Sequence, residues 1–202
     1  MNMFYLVRHG LFENVRNIMI GRLPAPLSQE GIRQAERLCD YFRDKKIAVI
    51  FSSPVLRCRQ TAEIIADKTI PIRFDIRLAE TLSAYQGMWY AGKQDPEDLC
   101  GHRKELGGEG FDDLRSRMMS FFNEAIKKEK RNSIICSHGD PLWCLYLGIL
   151  NRPLTDEVKE PGENGNPEFL QKGAIRPFKA ENGKYIPLDM ILQDAFFKKS
   201  RL

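Results

Sequence analysis

The chain holds three histidines, and two of them occupy the same setting. Each follows an apolar run and one intervening residue, and each precedes glycine. The segments are Phe4-Tyr5-Leu6-Val7-Arg8-His9-Gly10 and Ile134-Ile135-Cys136-Ser137-His138-Gly139. Apolar runs without polar alternation suit strands covered on both faces. In an open parallel sheet, ligands bind beyond the carboxyl ends of the strands, so both imidazoles are expected at one edge. Glycine after each histidine lets the backbone turn sharply and a ligand approach closely.

A third run ends at the same edge. Phe51-Ser52-Ser53-Pro54 leads into a helical pattern whose first turns carry Arg57 and Arg59. Arginine near a helix N-terminus adds its charge to free backbone N–H groups, which makes an oxyanion site. Arg8 lies beside His9. Two histidines with two arginines suit a tetrahedral dianion: guanidinium forks hold nonbridging oxygens while a neutral imidazole attacks phosphorus. A metal centre would call for His with Cys or carboxylates at ligand spacing, and sugar hydrolysis for paired carboxylates. The three strand-end motifs contain no carboxylate. A leaving alkoxide needs a proton, and Glu80, after a fourth candidate strand, is the choice for general acid, with Glu109 as rival. Arg22 is a further candidate contact for an anionic substrate, with a plain surface role equally open.

The elements that must position these groups alternate. Strands are expected over Met3–Val7, Ile47–Phe51 and Ser133–Cys136, with a weaker one over Ile70–Phe74. Ser28 is a good N-cap for a helix whose apolar positions are Ile32, Ala35, Leu38, Cys39 and Phe42. Pro54 fits a first helical position ahead of Ala62, Ile65 and Ala66, and Pro141 opens a helix through Leu150. Leu114, Met118, Phe121, Phe122 and Ile126 mark another, more core than cofactor site. The pattern predicts an α/β fold: a mostly parallel central sheet with helices on both faces. A single domain spans 1–202, with a loop-rich insertion at about 83–110. A turn-rich excursion follows at about 155–171, and Asn182-Gly183 between two short runs signals a hairpin within the 151–190 segment.

The chain has 202 residues, 31 Lys+Arg against 27 Asp+Glu, a net charge of +4 and 43% apolar residues. That length supports a real core, and the charge is too weak to imply nucleic acid. No apolar run approaches the roughly 18 residues that cross a bilayer, and the N-terminus lacks a signal-peptide pattern. Five cysteines without a C-x-x-C pair disfavour both disulfides and a zinc knuckle. A reduced, cytoplasmic protein is expected, with no nucleic acid or membrane partner. His102, beside Arg103 and Lys104, reads as a solvated surface residue.

In family order, the motifs are Leu6-Val7-Arg8-His9-Gly10, Pro26 to Ala35 and Ser52 to Ala62. Leu78-Ala79-Glu80, Gly87-Met88-Trp89, Gly107-Gly108-Glu109 and Ser137-His138-Gly139 complete the set. On these the sequence resembles the histidine phosphatase superfamily, in its phosphoglycerate mutase-like branch, over roughly residues 4–150. The resemblance implies a phosphoglycerate mutase-like fold and a phosphomonoester hydrolase working through a phosphohistidine on a small phosphorylated metabolite. It implies His9 as the nucleophile, Arg8, Arg57 and His138 as the phosphate pocket, and Glu80 as proton donor. Asn14 becomes a phosphate or substrate contact, and no metal or other cofactor is needed. Leu11-Phe12 replaces the family's usual polar pair, Asn14 follows His9 by five residues rather than six, and Gly110 stands where a hydroxyl residue is common. A phosphoglycerate mutase is the alternative, although Ala79-Glu80-Thr81-Leu82 lacks the mutases' distinctive stretch around the acid. A noncatalytic phosphate-binding protein is the third reading. Oligomeric state is left open, a homodimer being one option.

Overall fold

The computed structural model describes residues 2–88, 107–154 and 166–194. His102, Cys100 and most of the expected insertion and excursion lie outside these residues. Six strands form one sheet in the order β3-β2-β4-β1-β5-β6. They are β1 (Asn2–Arg8), β2 (Val49–Ser52), β3 (Ile72–Phe74), β4 (Ser133–Ser137), β5 (Ile175–Glu181) and β6 (Lys184–Pro187). The first four are mutually parallel, and β5 and β6 add an antiparallel margin.

Side-chain alternation explains why the central strands read as unbroken apolar runs. Phe4 and Leu6 of β1, Phe51 of β2 and Ile135 of β4 enter one core. Tyr5 and Val7, Ile50, and Ile134 and Cys136 enter the other. Successive side chains point to opposite faces, and here both faces are covered, so neither parity can be polar. Helices α1 (Gln29–Phe42) and α2 (Leu56–Ala66) cover the second core. Helices α3 (Phe111–Phe121) and α4 (Gly139–Ile149) cover the first.

Local chemistry sets the element ends. Ser28 caps α1 by accepting from the Gly31 N–H. α2 starts at Leu56 with Val55 as its cap, so Pro54 sits before the helix rather than at its first position. α3 continues into a π-helical turn, Phe122–Ile126, which brings Phe121, Phe122 and Ile126 into the same core. An i→i+5 turn shifts the buried stripe around the helix, and an α-periodic pattern does not show that shift. The β5–β6 register pairs Glu181 with Lys184 across Asn182-Gly183. Both turn residues have positive φ, 51° and 75°, as a two-residue type I′ hairpin requires.

Candidate active site

Parallel register places three strand ends side by side. Arg8 of β1 pairs with Ser137 of β4, and Ser52 of β2 pairs with Cys136 of β4. The ladder extends one residue further on each side: His9 N–H donates to Ser137 O at 3.1 Å, and Ser53 N–H donates to Cys136 O at 3.0 Å. His9, Ser53 and His138 therefore leave the sheet at one level. The imidazole centroids of His9 and His138 are 5.1 Å apart, although 129 positions separate them in sequence.

The glycines after the histidines serve packing within the protein. A Cβ on Gly10 would lie 2.6 Å from Gly31 O, and one on Gly31 would lie 1.8 Å from Leu11 O. The first turn of α1 thus rests directly on the backbone after His9. Gly10 N–H also donates to Thr61 Oγ1, and Leu11 N–H to Gln34 Oε1. A Cβ on Gly139 would stand 2.8 Å from the Phe169 ring and 3.0 Å from Arg8 Cζ. The Arg8 guanidinium is packed over the start of α4, 5.3 Å from the Phe169 centroid, and it donates to Leu170 O.

Arg57 is the centre of the site. It is 2% exposed. Its Nε donates to His9 Nε2 at 3.1 Å, and its Nη2 approaches His138 Nδ1 at 2.9 Å, Gly21 O at 2.9 Å and Glu80 Oε2 at 3.2 Å. Guanidinium nitrogens only donate, so the imidazole nitrogens facing them must be acceptors. For His9 the proton then sits on Nδ1, which is 2.7 Å from Gly10 O. For His138 it sits on Nε2, 2.9 Å from Ser53 Oγ. The two rings carry opposite tautomers, and both lone pairs face one arginine. Burial holds the pKa of each imidazole well below its ordinary value, with the Arg57 and Arg8 charges pushing the same way.

Arg57 Nη1 is buried and has no hydrogen-bond partner among the described residues. The Phe12 ring lies 5.0 Å from Arg57 Cζ and 5.4 Å from the His9 ring, closing the wall beside both. Arg59, two positions along α2, points away and pairs with Glu63 while 57% exposed, because successive odd positions fall on opposite sides of a helix. The site thus holds Arg57 and not Arg59.

Glu80 reaches the same centre. Its Oε2 contacts Arg57 and lies 3.4 Å from His138 Nδ1, and its Oε1 accepts from Thr81 N–H. Glu109 lies one layer back, bonded to Arg22 and Arg117. Arg22 is likewise engaged with Glu109 and with the Glu80 carbonyl. Asn14 has its amide folded onto Ile18, accepting from Ile18 N–H and donating to Ile18 O. Sequence reasoning quoted Ser53 without a role, and it missed Arg117 and Lys172. Lys172 precedes Gly173, whose N–H donates to both Arg8 O and His9 O, and the Lys172 charge helps to depress His9. No local pattern marks Lys172, because its part comes from a 163-residue chain closure back onto His9.

One ligand atom each from His9, Glu80 and His138 lie within 4.8 Å of one another, a set that could hold a metal ion. Arg57 argues against a cation there. Its guanidinium bonds to all three groups, so a cation among them would face a buried positive charge at contact distance. The same charge favours an oxyanion.

A mostly parallel sheet with two imidazoles, two buried guanidiniums and a carboxylate at its carboxyl edge defines an α/β protein with a site suited to an oxyanion. The family model of the histidine phosphatase superfamily (branch 1) matches residues 4–166, and the chain belongs to that superfamily. The chain is 31% identical over 164 residues to a Proteus mirabilis protein named "Probable phosphoglycerate mutase GpmB", covering 74% of this chain and 75% of that one. Among solved structures, YhfR of Bacillus stearothermophilus matches with a TM-score of 0.75 and 25% identity, over 92% of this chain and 94% of that one. A mycobacterial glucosyl-3-phosphoglycerate phosphatase in complex with VO3 has the same fold, with a TM-score of 0.75 and 22% identity over 93% and 98% of the two chains. No helix among the described residues is long and apolar enough to cross a membrane.

Proposed function

We propose that the protein is a phosphomonoester hydrolase that works through a phosphohistidine on His9. The observation that carries this reading is the His9 tautomer: Nδ1–H is held by Gly10 O, which leaves the Nε2 lone pair facing Arg57. The phosphoryl group enters between Nε2 and the guanidinium, and Arg57 exchanges its N–H···N bond for charge-assisted bonds to oxygen. Nε2 forms a bond to phosphorus as the ester P–O bond breaks. Arg8, Arg57 and His138 hold the equatorial oxygens. Glu80 gives its proton to the departing alkoxide. The Glu80 carboxylate then takes a proton from water as that water attacks phosphorus, the N–P bond breaks and inorganic phosphate leaves. Positioning and fixed charge supply most of the acceleration.

A phosphoglycerate mutase would use the same groups and return the phosphoryl group to an organic acceptor, and the name of the Proteus mirabilis relative favours that second reading. The test is a panel of phosphomonoesters, with free phosphate and mutase turnover measured in parallel and mass detection of an acid-labile phosphoryl adduct on His9. Phosphate release with an adduct lost in His9→Ala supports the hydrolase. Isomerised phosphoester without free phosphate favours the mutase, and turnover without any adduct removes both.

A further inference from the structure

We infer that Glu109 is the positioning residue for Glu80, acting through Arg22 and Arg117 on the backbone that carries the proton donor. This rests on the hydrolase reading, in which Glu80 protonates the leaving group. Two guanidiniums converge on one acceptor: Arg22 Nε donates to Glu80 O at 2.8 Å, and Arg117 Nη2 donates to the same oxygen at 3.2 Å. Two like charges on one carbonyl repel unless an anion lies between them. Glu109 is that anion. Its Oε2 accepts from Arg22 at 2.8 Å and from Arg117 at 3.1 Å, and its Oε1 accepts from Arg117 Nε at 2.7 Å.

Glu109 also grips the chain beyond Glu80 directly. Its Oε2 accepts from Leu82 N–H at 2.9 Å, and its own N–H donates to Leu82 O at 2.8 Å. Leu82, two residues beyond Glu80, is thus held by both the side chain and the backbone of Glu109, while the Glu80 carbonyl is held through the two arginines that Glu109 pairs. Gly21, next to Arg22, accepts from Arg57. The same device therefore ties the donor's backbone to the arginine that faces both imidazoles. Although burial opposes it, bonding to Arg117 and Leu82 N–H, with the Arg22 charge, holds the Glu109 carboxyl below its ordinary pKa. Position separates the roles of the two glutamates: the Glu80 carboxylate lies 3.4 Å from His138 Nδ1, whereas that of Glu109 is taken up by Arg22, Arg117 and Leu82 N–H.

The prediction is a dependence on leaving group. An alkyl phosphate needs its departing oxygen protonated, whereas para-nitrophenolate leaves unaided. Glu109→Gln keeps the shape and removes the charge. It should lower kcat/KM for an alkyl phosphate by about 10²-fold, within the range of general acid catalysis, and for para-nitrophenyl phosphate by no more than about threefold. Arg117→Gln should show the same asymmetry from the other side of the clamp. Glu80→Gln is the reference. Asymmetry in Glu80→Gln with a uniform loss or no loss in Glu109→Gln overturns the inference alone. Symmetric behaviour in both overturns Glu80 as proton donor, and the inference with it. A wild type that hydrolyses neither ester removes the hydrolase reading itself.

Discussion

Arg57 Nε donates to His9 Nε2 at 3.1 Å, and this bond decides which nitrogen of His9 can act. Nε2 must be unprotonated to accept it, and Gly10 O accounts for the proton on Nδ1. The His9 imidazole is therefore oriented by protein groups alone, with its Nε2 lone pair toward Arg57.

Replacing His9 by alanine should remove at least about 10³-fold of phosphatase activity, since it removes the Nε2 lone pair to which the phosphoryl group would bond. The urea midpoint should indicate a stability change within about 1–2 kcal/mol. Equal turnover in variant and wild type would reject His9 as nucleophile.

Arg57→Lys keeps the charge and loses the geometry. A lysine has one nitrogen, and Arg57 uses two to reach His9, His138 and Glu80 while a third stays unpartnered. The expected loss in kcat/KM is ~10²–10³-fold, with weaker inhibition by vanadate. A kinetically silent substitution would place the phosphate elsewhere.

Acid should weaken the folded state in a window that belongs to the histidines. Both imidazoles titrate well below the ordinary 6.5. The unfolded chain binds their protons first as pH falls, so their contribution is intact above pH 6.5 and declines below it. Glu109 and Glu168, with depressed pKa values against an ordinary 4.5, act in the same direction only at lower pH. Urea midpoints should therefore drop between about pH 6.5 and pH 5, and His9→Gln should reduce that slope. An unchanged slope would mean that His9 is not held neutral.

Gly31→Ala tests the packing that shapes the loop after His9. Alanine in a helix is ordinarily favoured over glycine by ~1 kcal/mol. Here the added Cβ would fall 1.8 Å from Leu11 O, a backbone atom held by Ser28 N–H. The clash should win, with a net loss of about 2–3 kcal/mol by chemical denaturation and reduced activity as Leu11 and Gly10 shift. A stabilised variant would show that α1 can move off the loop freely.

A chelator should leave activity unchanged, because Arg57 already supplies the positive charge at the centre of the His9–Glu80–His138 group. Inactivation by chelator with recovery on adding a divalent ion would reverse that assignment.

Much of the fold can be read along the chain. The runs Met3–Val7 and Ser133–Cys136 carry side chains into two cores at once, and this is a local consequence of pleat and coverage. Asn182-Gly183 announces its own turn, since few other residue pairs accept positive φ twice. The start of α2 and the π turn after α3 were less legible. Both depend on where the next buried side chain finds room, which neighbours in sequence do not specify.

What the amino-acid order determined by itself was the alternation of strands and helices and the arrival of His9, His138 and Arg57 at one sheet edge. Those follow from short-range geometry and the parallel register it implies. Only the tertiary structure decided which nitrogen of each imidazole is available, and that Arg57 turns inward while Arg59 faces solvent. It also placed Glu80 at the centre and Glu109 behind it. Such choices rest on hydrogen bonds between residues dozens of positions apart, where directions and distances of a few tenths of an ångström select the partner.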